Sequence, residues 1–508
     1  MQVFTAGQSS ITISANGVSG TIAINRALTS TLAANTYSLT LTPSLTLSGT
    51  TFNASSAKDF TVIPKALDLT VSKLYDGNAN FSNANTYTLT GMANSESAPT
   101  LSSGAATLAS ANANAASPAT AFATNTFALS NANYTLNGGT LSATISQLPS
   151  VTYTGSSGGL WSSGANWTVT GGSATGATPT LANVATVVIP SGSTVNYSDA
   201  MASLAPTSAV TISNSGVVSF SNNSEATLPA VVDGSGALTL AGSAPVALTA
   251  NNGYTGITTI NSGATLKLSG SGAVAASSEI AVAGTFDIRS TTAGASIATL
   301  SGAGSVNAAG KTLTVTNAST TFSGVMTGAS GALSVNGGSL TLSGANDYTG
   351  TTTVNGGTLI LGAANALPSN GGVNVSSGTL DLASFSPLVG ALSLGNASII
   401  GSGTISGDNF SGSITTTATF SANLGAFSRF SKFGSGVLTF SGTNSYSNYY
   451  FIGGGTLALG SANALGKQWQ AGAVYTTADT QIFYGGKVYS VTTDGTATST
   501  PPSNSSGD

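Results

Sequence analysis

Apolar residues along the chain alternate with small and polar ones in short runs instead of gathering in blocks. The stretch 340–362, LTLSGANDYTGTTTVNGGTLILG, sets the pattern. Leu340 and Leu342 flank Thr341, a polar run follows, and alternation resumes at Leu359 and Leu361. A period of two predicts half-buried β-strands, and the Gly- and Asn-rich interval predicts a corner where the backbone takes positive φ. No apolar run approaches the roughly 18 residues of a membrane-spanning helix, so none is expected.

The same pattern recurs at 246–270 (VALTANNGYTGITTINSGATLKLSG) and at 438–460 (LTFSGTNSYSNYYFIGGGTLALG). Tyr254, Tyr348 and Tyr446 stand 94 and 98 residues apart, and Asn252, Asn346 and Asn444 precede them by two. Leu266, Leu359 and Leu457 open the strand beyond each corner. Leu266 lies one residue further from its tyrosine than the other two do, and the extra residue falls near Asn261-Ser262-Gly263. A turn absorbs such an insertion, whereas a packed strand would swap its faces.

Each unit reads as strand, corner, strand, and one unit cannot bury its apolar side chains alone. Units must therefore stack into a solenoid, with Thr, Ser and Asn laddered at the corners. Weaker strand signals between the copies, GKTLTVTN around Leu313 and GTLDLAS around Leu380, predict several coils per interval. At about 20 to 25 residues per coil, roughly 15 coils are expected.

With TFSGVMTG from Thr321 ahead of it, the run from Ser339 to Leu361 resembles the autotransporter-associated β-strand repeat of bacterial passenger regions. The resemblance implies a right-handed parallel β-helix. The third copy departs from it, because Ser447-Asn448-Tyr449-Tyr450 replaces the Thr-Gly-x-Thr corner. Upstream, LWSSGANW with Trp161 and Trp167 resembles the segment with which such regions often start, so the helix is expected over 158–465.

The N-terminal third reads differently. VIPKALDLTVSKLYDGNANF contains Tyr75, Asp76 and Gly77, and Asn133-Tyr134-Thr135-Leu136 follows ahead of TISQ. This resembles the YDG-type β domain of large bacterial exoproteins and haemagglutinin-like adhesins, which implies a small β-sandwich over 63–148. Residues 1–62 read as a partial or divergent copy. Residues 466–508 read as a small β-hairpin module with a Pro/Ser-rich tail, weakly similar to small carbohydrate-binding or tail-fibre-like modules. The expected class is all-β: a parallel β-helix behind N-terminal sandwich modules, with a short C-terminal β module.

Composition narrows the chemistry. Only 5% of the 508 residues are charged, and Cys and His are both absent. That removes disulfides, thiolate nucleophiles and the commonest general base near neutral pH. Eleven basic residues and a pI near 4.7 disfavour nucleic acid. Abundant Thr and Val with a net charge of -4 favour strands over disorder. The opening MQVFTAGQSS has neither a basic n-region nor an apolar h-region, so either a signal has been removed or the stretch is a fragment.

Parallel β-helices also host polysaccharide hydrolases and lyases, which need clustered carboxylates. Asp347, Asp381 and Asp408 have spacings that neighbouring coils could bring together, but Asp347 replaces Gly253 and Ser445 at a turn, so a corner role accounts for it. Asp287 stands two residues from Arg289 and reads as an exposed pair. Calcium coils need repeated Gly-Gly-x-Gly-x-Asp, and Asp233-Gly234-Ser235-Gly236 is isolated, so no metal and no cofactor are expected. Tyr75-Asp76-Gly77 reads as an Asx-type turn before it reads as a ligand site. Trp469 and Tyr484 are the candidates for sugar stacking.

The expectation is a non-enzymatic, adhesin-like structural protein, secreted or exposed at the surface of a bacterium, which the resemblance implies is Gram-negative. Its partners would be surface glycans or proteins, or further copies of itself. A subunit of an extracellular filament or sheath and a β-helical polysaccharide hydrolase or lyase are the alternatives.

Overall fold

The computed structural model describes residues 10–15, 18–24, 35–47, 50–53, 56–93, 96–112, 120–170, 183–198, 210–445, 450–461 and 464, and strands at 474–475, 481–484, 487–490 and 495–496. It is all-β and 1% helical. Two compact units divide the chain, one of residues 1–149 with 171–177 and one of residues 150–170 with 178–508. No helix among the described residues is long and apolar enough to cross a membrane.

In the first unit, Ser10–Ala15, Val18–Ile24, Asn35–Leu47, Thr50–Asn53 and Ser56–Val62 form one antiparallel sheet. Beyond it, Asp68–Leu74 runs parallel to Leu141–Ser146 and antiparallel to Thr86–Thr90. Period-two patterning does the work here. Leu67, Leu69 and Val71 face inward and meet Phe81, Leu89 and Ile145 in one core.

The second unit is a parallel β-solenoid of about 13 turns. Five sheets of five to nine strands run along it. Successive rungs sit about 20 residues apart, so Val246 lies over Leu266, Leu340 over Leu359, and Leu438 over Leu457. Stacking rather than hairpin pairing joins the two apolar pairs of each repeat. The second pair is the next rung of the same sheet, and a short strand the expectation omitted, Thr258–Ile260, Thr352–Val354 or Tyr450–Ile452, lies between them. Gly263 and Gly357 hold the turns after the first two of these strands at φ of 82° and 64°.

The turn count falls below 15 because the first residues of the expected helix close its end instead of adding a coil. Trp167–Thr170 runs antiparallel to residues 150–153, whereas every later ladder of the solenoid through Thr456–Leu459 is parallel. Aromatic rings seal this end. Trp161 lies 4.9 Å from Trp167 and 5.7 Å from Tyr197, and the indole N–H of Trp167 donates to the Trp161 carbonyl at 2.8 Å.

Candidate functional site

The repeat corners hold the most organised polar chemistry of the solenoid. The Asn252 Oδ1 accepts the Val232 N–H at 2.9 Å, while its Nδ2 donates to Ala250 O at 2.9 Å and Ala273 O at 3.0 Å. Asn346 repeats this with Met326 N–H at 2.7 Å, Gly344 O at 3.3 Å and Ala366 O at 2.7 Å. Asn444 accepts from Leu424 N–H at 2.7 Å and donates to Ala464 O. All three side chains are buried.

The position of these asparagines has a physical cause. Val231–Asp233 and Val325–Thr327 are the last strands of their sheets, and Asn252 and Asn346 sit one coil further on. Where the ladder stops, a buried N–H and a carbonyl lose their backbone partners, and an unpaired buried group costs about 1–3 kcal/mol. The carboxamide carries one acceptor and two donors, so it bridges the coil below to the coil above. The next residue completes the joint, since Gly253, Asp347 and Ser445 donate their N–H to the carbonyls of Val232, Met326 and Leu424.

Tyr254 and Tyr348 are fully buried. The Tyr254 hydroxyl pairs with Thr258 Oγ1 at 2.6 Å, and Thr258 pairs with Ser277 Oγ at 2.9 Å. Tyr348 pairs with Thr352 Oγ1 at 2.5 Å. Burial raises both phenols above their ordinary range, against the lowering effect of the threonine bonds. Tyr446 lies outside the described residues. Leu266 and Leu359 are core, and Leu457 is half-buried.

In the first unit, Tyr75-Asp76-Gly77 forms a turn around a lysine. Asp76 Oδ1 accepts the Asn78 N–H at 3.1 Å, and Gly77 has φ of 82°. Lys73 Nζ lies 2.7 and 2.9 Å from the Asp76 carboxylate oxygens, 2.9 Å from Asn78 Oδ1 and 2.7 Å from Asn80 O. Tyr75 packs against the core. A lysine three positions before a turn aspartate is within reach of its carboxylate, and that spacing of Lys73 and Asp76 is the signal in the sequence for this contact. Tyr134, in the downstream Asn-Tyr-Thr-Leu, donates to Glu96 Oε2 at 2.5 Å, and that bond raises its phenol pKa.

The acidic candidates do not share a face. Asp381 ends the strand Thr379–Asp381 and accepts the Ala383 N–H at 2.7 Å, Asp408 lies within Thr404–Ser413 of another sheet, and Asp347 sits at a repeat corner. Asp287 departs from the expected exposed pair, because its side chain is buried while Arg289 is exposed. Their closest approach is 2.7 Å. Desolvation raises the Asp287 pKa, but the Arg289 contacts outweigh it and the net shift is downward. Trp469 lies outside the described residues, and of Tyr484 the backbone alone is described, in Gln481–Tyr484.

Two features had no sequence signal. A shallow trough of about 300 Å³ is lined by Ser377, Thr379, Asn396, Ser398, Thr417 and Thr419 together with backbone of small residues, without an acid or a base. Lys432 is fully buried, its ammonium donating to Gly454 O at 2.7 Å and Gly434 O at 3.2 Å.

The passenger-associated-transport-repeat model matches residues 335–361, 357–382 and 430–459. Nothing among curated proteins or solved structures matches the chain. The matched segments begin at or run through the rungs on either side of the Asn346 and Asn444 corners, so the solenoid is a passenger-type β-helix that carries autotransporter passenger repeats.

Proposed function

We propose that the chain acts at the bacterial cell surface, or after secretion from it, as a non-enzymatic, adhesin-like spacer. The observation that carries this reading is the repeat corner. Asn252, Asn346, Asn444, Tyr254 and Tyr348 are buried and bonded to the protein itself, which suits a rigid scaffold and leaves no reactive group at these corner positions. Passenger repeats are consistent with export in a Gram-negative bacterium. The uncharged trough over Thr379, Ser398 and Thr419 is the face we assign to contact with surface glycans or proteins, or with another copy.

The alternatives have weaker support. A hydrolase or lyase needs adjacent carboxylates, and Asp381 and Asp408 belong to different sheets. A filament built by stacking coil on coil needs two open ends, and the antiparallel strand Trp167–Thr170 opposes that at one of them.

Displaying the chain on a bacterium that lacks it tests the reading. Cells are expected to gain retention on glycan- or protein-coated surfaces, or to clump. Cells that remain dispersed and unbound would count against adhesion, and release of reducing sugar by the purified chain would replace it with the enzyme reading.

A further inference from the structure

The last described rungs of the solenoid expose what earlier rungs hide. Phe420 and Phe440 are fully buried, yet Leu459, in register with Phe440, is 40% exposed. On the neighbouring sheet Ser431 and Lys432 are buried, whereas Phe451 and Ile452, in register with them, are 51% and 39% exposed. Phe433, 42% exposed, holds its ring 5.7 Å from that of Phe451. Tyr450–Ile452 and Thr456–Leu459 are also the terminal strands of the nine- and eight-stranded sheets. Among the described residues no strand pairs with their outer edges, so a row of backbone donors and acceptors faces outward beside an apolar patch. Such an edge invites pairing with other chains unless something covers it.

The opposite end displays the device this chain uses. There an antiparallel strand, Trp167–Thr170, stops the ladder, and the rings of Tyr153, Trp161 and Trp167 lie over the first coils. We infer that the antiparallel hairpin Gln481–Tyr484 with Lys487–Ser490 covers the open end in the same way. The hairpin follows the last rung after a connection that includes the strand Val474–Tyr475, itself paired with Gly495–Thr496. Its ten residues, QIFYGGKVYS, include Ile482, Phe483, Tyr484, Val488 and Tyr489 and a single charge, Lys487. A two-stranded hairpin is marginal by itself and needs a surface to pack on. The terminal rung needs a cover, so each element supplies what the other lacks. The connection from Ala464 to Gln481, at up to about 3.3 Å per residue, reaches any point on the end of a coil. A covered end keeps the solenoid a discrete stalk, because it removes the template on which a second copy could add.

Hydrogen exchange on the intact chain tests this against the double variant Ile482→Asp/Tyr484→Asp. Amides of Tyr450–Ile452 and Thr456–Leu459 are expected to exchange at least tenfold faster in the variant, with Thr352–Val354 unchanged. Equal rates in the two proteins would overturn the assignment, as would protection that grows with protein concentration, which identifies a second copy as the cover. Because the chain has no cysteine, a Leu459→Cys/Val488→Cys variant gives a second readout that leaves the hairpin's aromatic residues in place. A short bis-maleimide is expected to join the two sites within one monomer. Failure to form that link would equally sink the proposal.

Discussion

Asn346 joins Met326 to Ala366, residues a full coil below and a full coil above it, by accepting an N–H and donating to a carbonyl, each at 2.7 Å. Removing the carboxamide leaves a buried N–H and buried carbonyls unpaired at once, and we expect Asn346→Ala to cost about 2–4 kcal/mol. A solenoid opens locally, so the measurement that isolates this is amide exchange. The Met326 amide should exchange about thirtyfold faster or more. Asn346→Asp should be worse, because a carboxylate can accept from Met326 but cannot donate to Ala366. Unchanged exchange at Met326 would remove the bridging role.

The two described tyrosine corners differ in one partner, which makes a paired comparison informative. Thr258 keeps Ser277 when Tyr254 loses its hydroxyl, whereas among the described residues Tyr348 is the one side-chain partner of Thr352. Tyr348→Phe is therefore expected to cost about 1–2 kcal/mol, and Tyr254→Phe about half of that. Local stability by exchange in Thr352–Val354 and Thr258–Ile260 checks the order. Equal losses would mean that the Ser277 bond adds nothing.

How much of this was legible in the sequence follows from periodicity. Alternation placed Leu340 and Leu359 on inward faces, and the tyrosine spacing revealed the repeat, because both are properties of adjacent or recurring residues. The partners of Asn346 were not legible. They are backbone groups 20 residues away on either side, and a backbone group leaves no mark in the residue type of Met326 or Ala366. Lys432 was hidden for a similar reason, since nothing in FSRFSKFGSG distinguishes a lysine that turns inward to carbonyls from one that points to solvent. That the second apolar pair of each repeat lies on the next rung of the same sheet was not legible in the alternation, because hairpin and coil share it and the parallel register alone separates them.

Two glycines separate backbone strain from steric collision. Gly263 has φ of 82° with nothing near its would-be Cβ, whereas Gly302 has φ of 99° and a Cβ there would meet Val282 O at 2.1 Å. Gly263→Ala carries the left-handed conformation alone, at about 1 kcal/mol. Gly302→Ala adds a clash with the backbone of the previous coil, so the loss should exceed 2 kcal/mol by a clear margin, on the scale of about 1–3 kcal/mol for overpacking alone. Thermal unfolding of the two variants side by side tests this. Equal shifts would show that the coil yields at Gly302.

Alkaline pH should act on the solenoid in two opposite senses. Burial pushes the Tyr197 phenol up to about 12 and raises Tyr254 and Tyr348 as well. A raised acid is protonated longer in the folded state, so its contribution is intact below about pH 10 and is lost as pH climbs past that value. Lys432 runs the other way. Burial lowers its pKa below 10.5, so between its folded value and 10.5 the unfolded chain holds more protons and stability rises with pH. The stabilising effect is complete above 10.5 and fades as pH falls through the folded value. Lys432→Met keeps most of the side-chain length and removes the titration. The stability of the parent chain minus that of this variant should therefore increase from neutral pH toward 10.5 and then level off, while both proteins lose stability together as the tyrosines ionise. Denaturant unfolding at a series of pH values gives that difference directly. A difference that stays flat would mean that Lys432 reaches solvent and is not held against Gly434 and Gly454 alone.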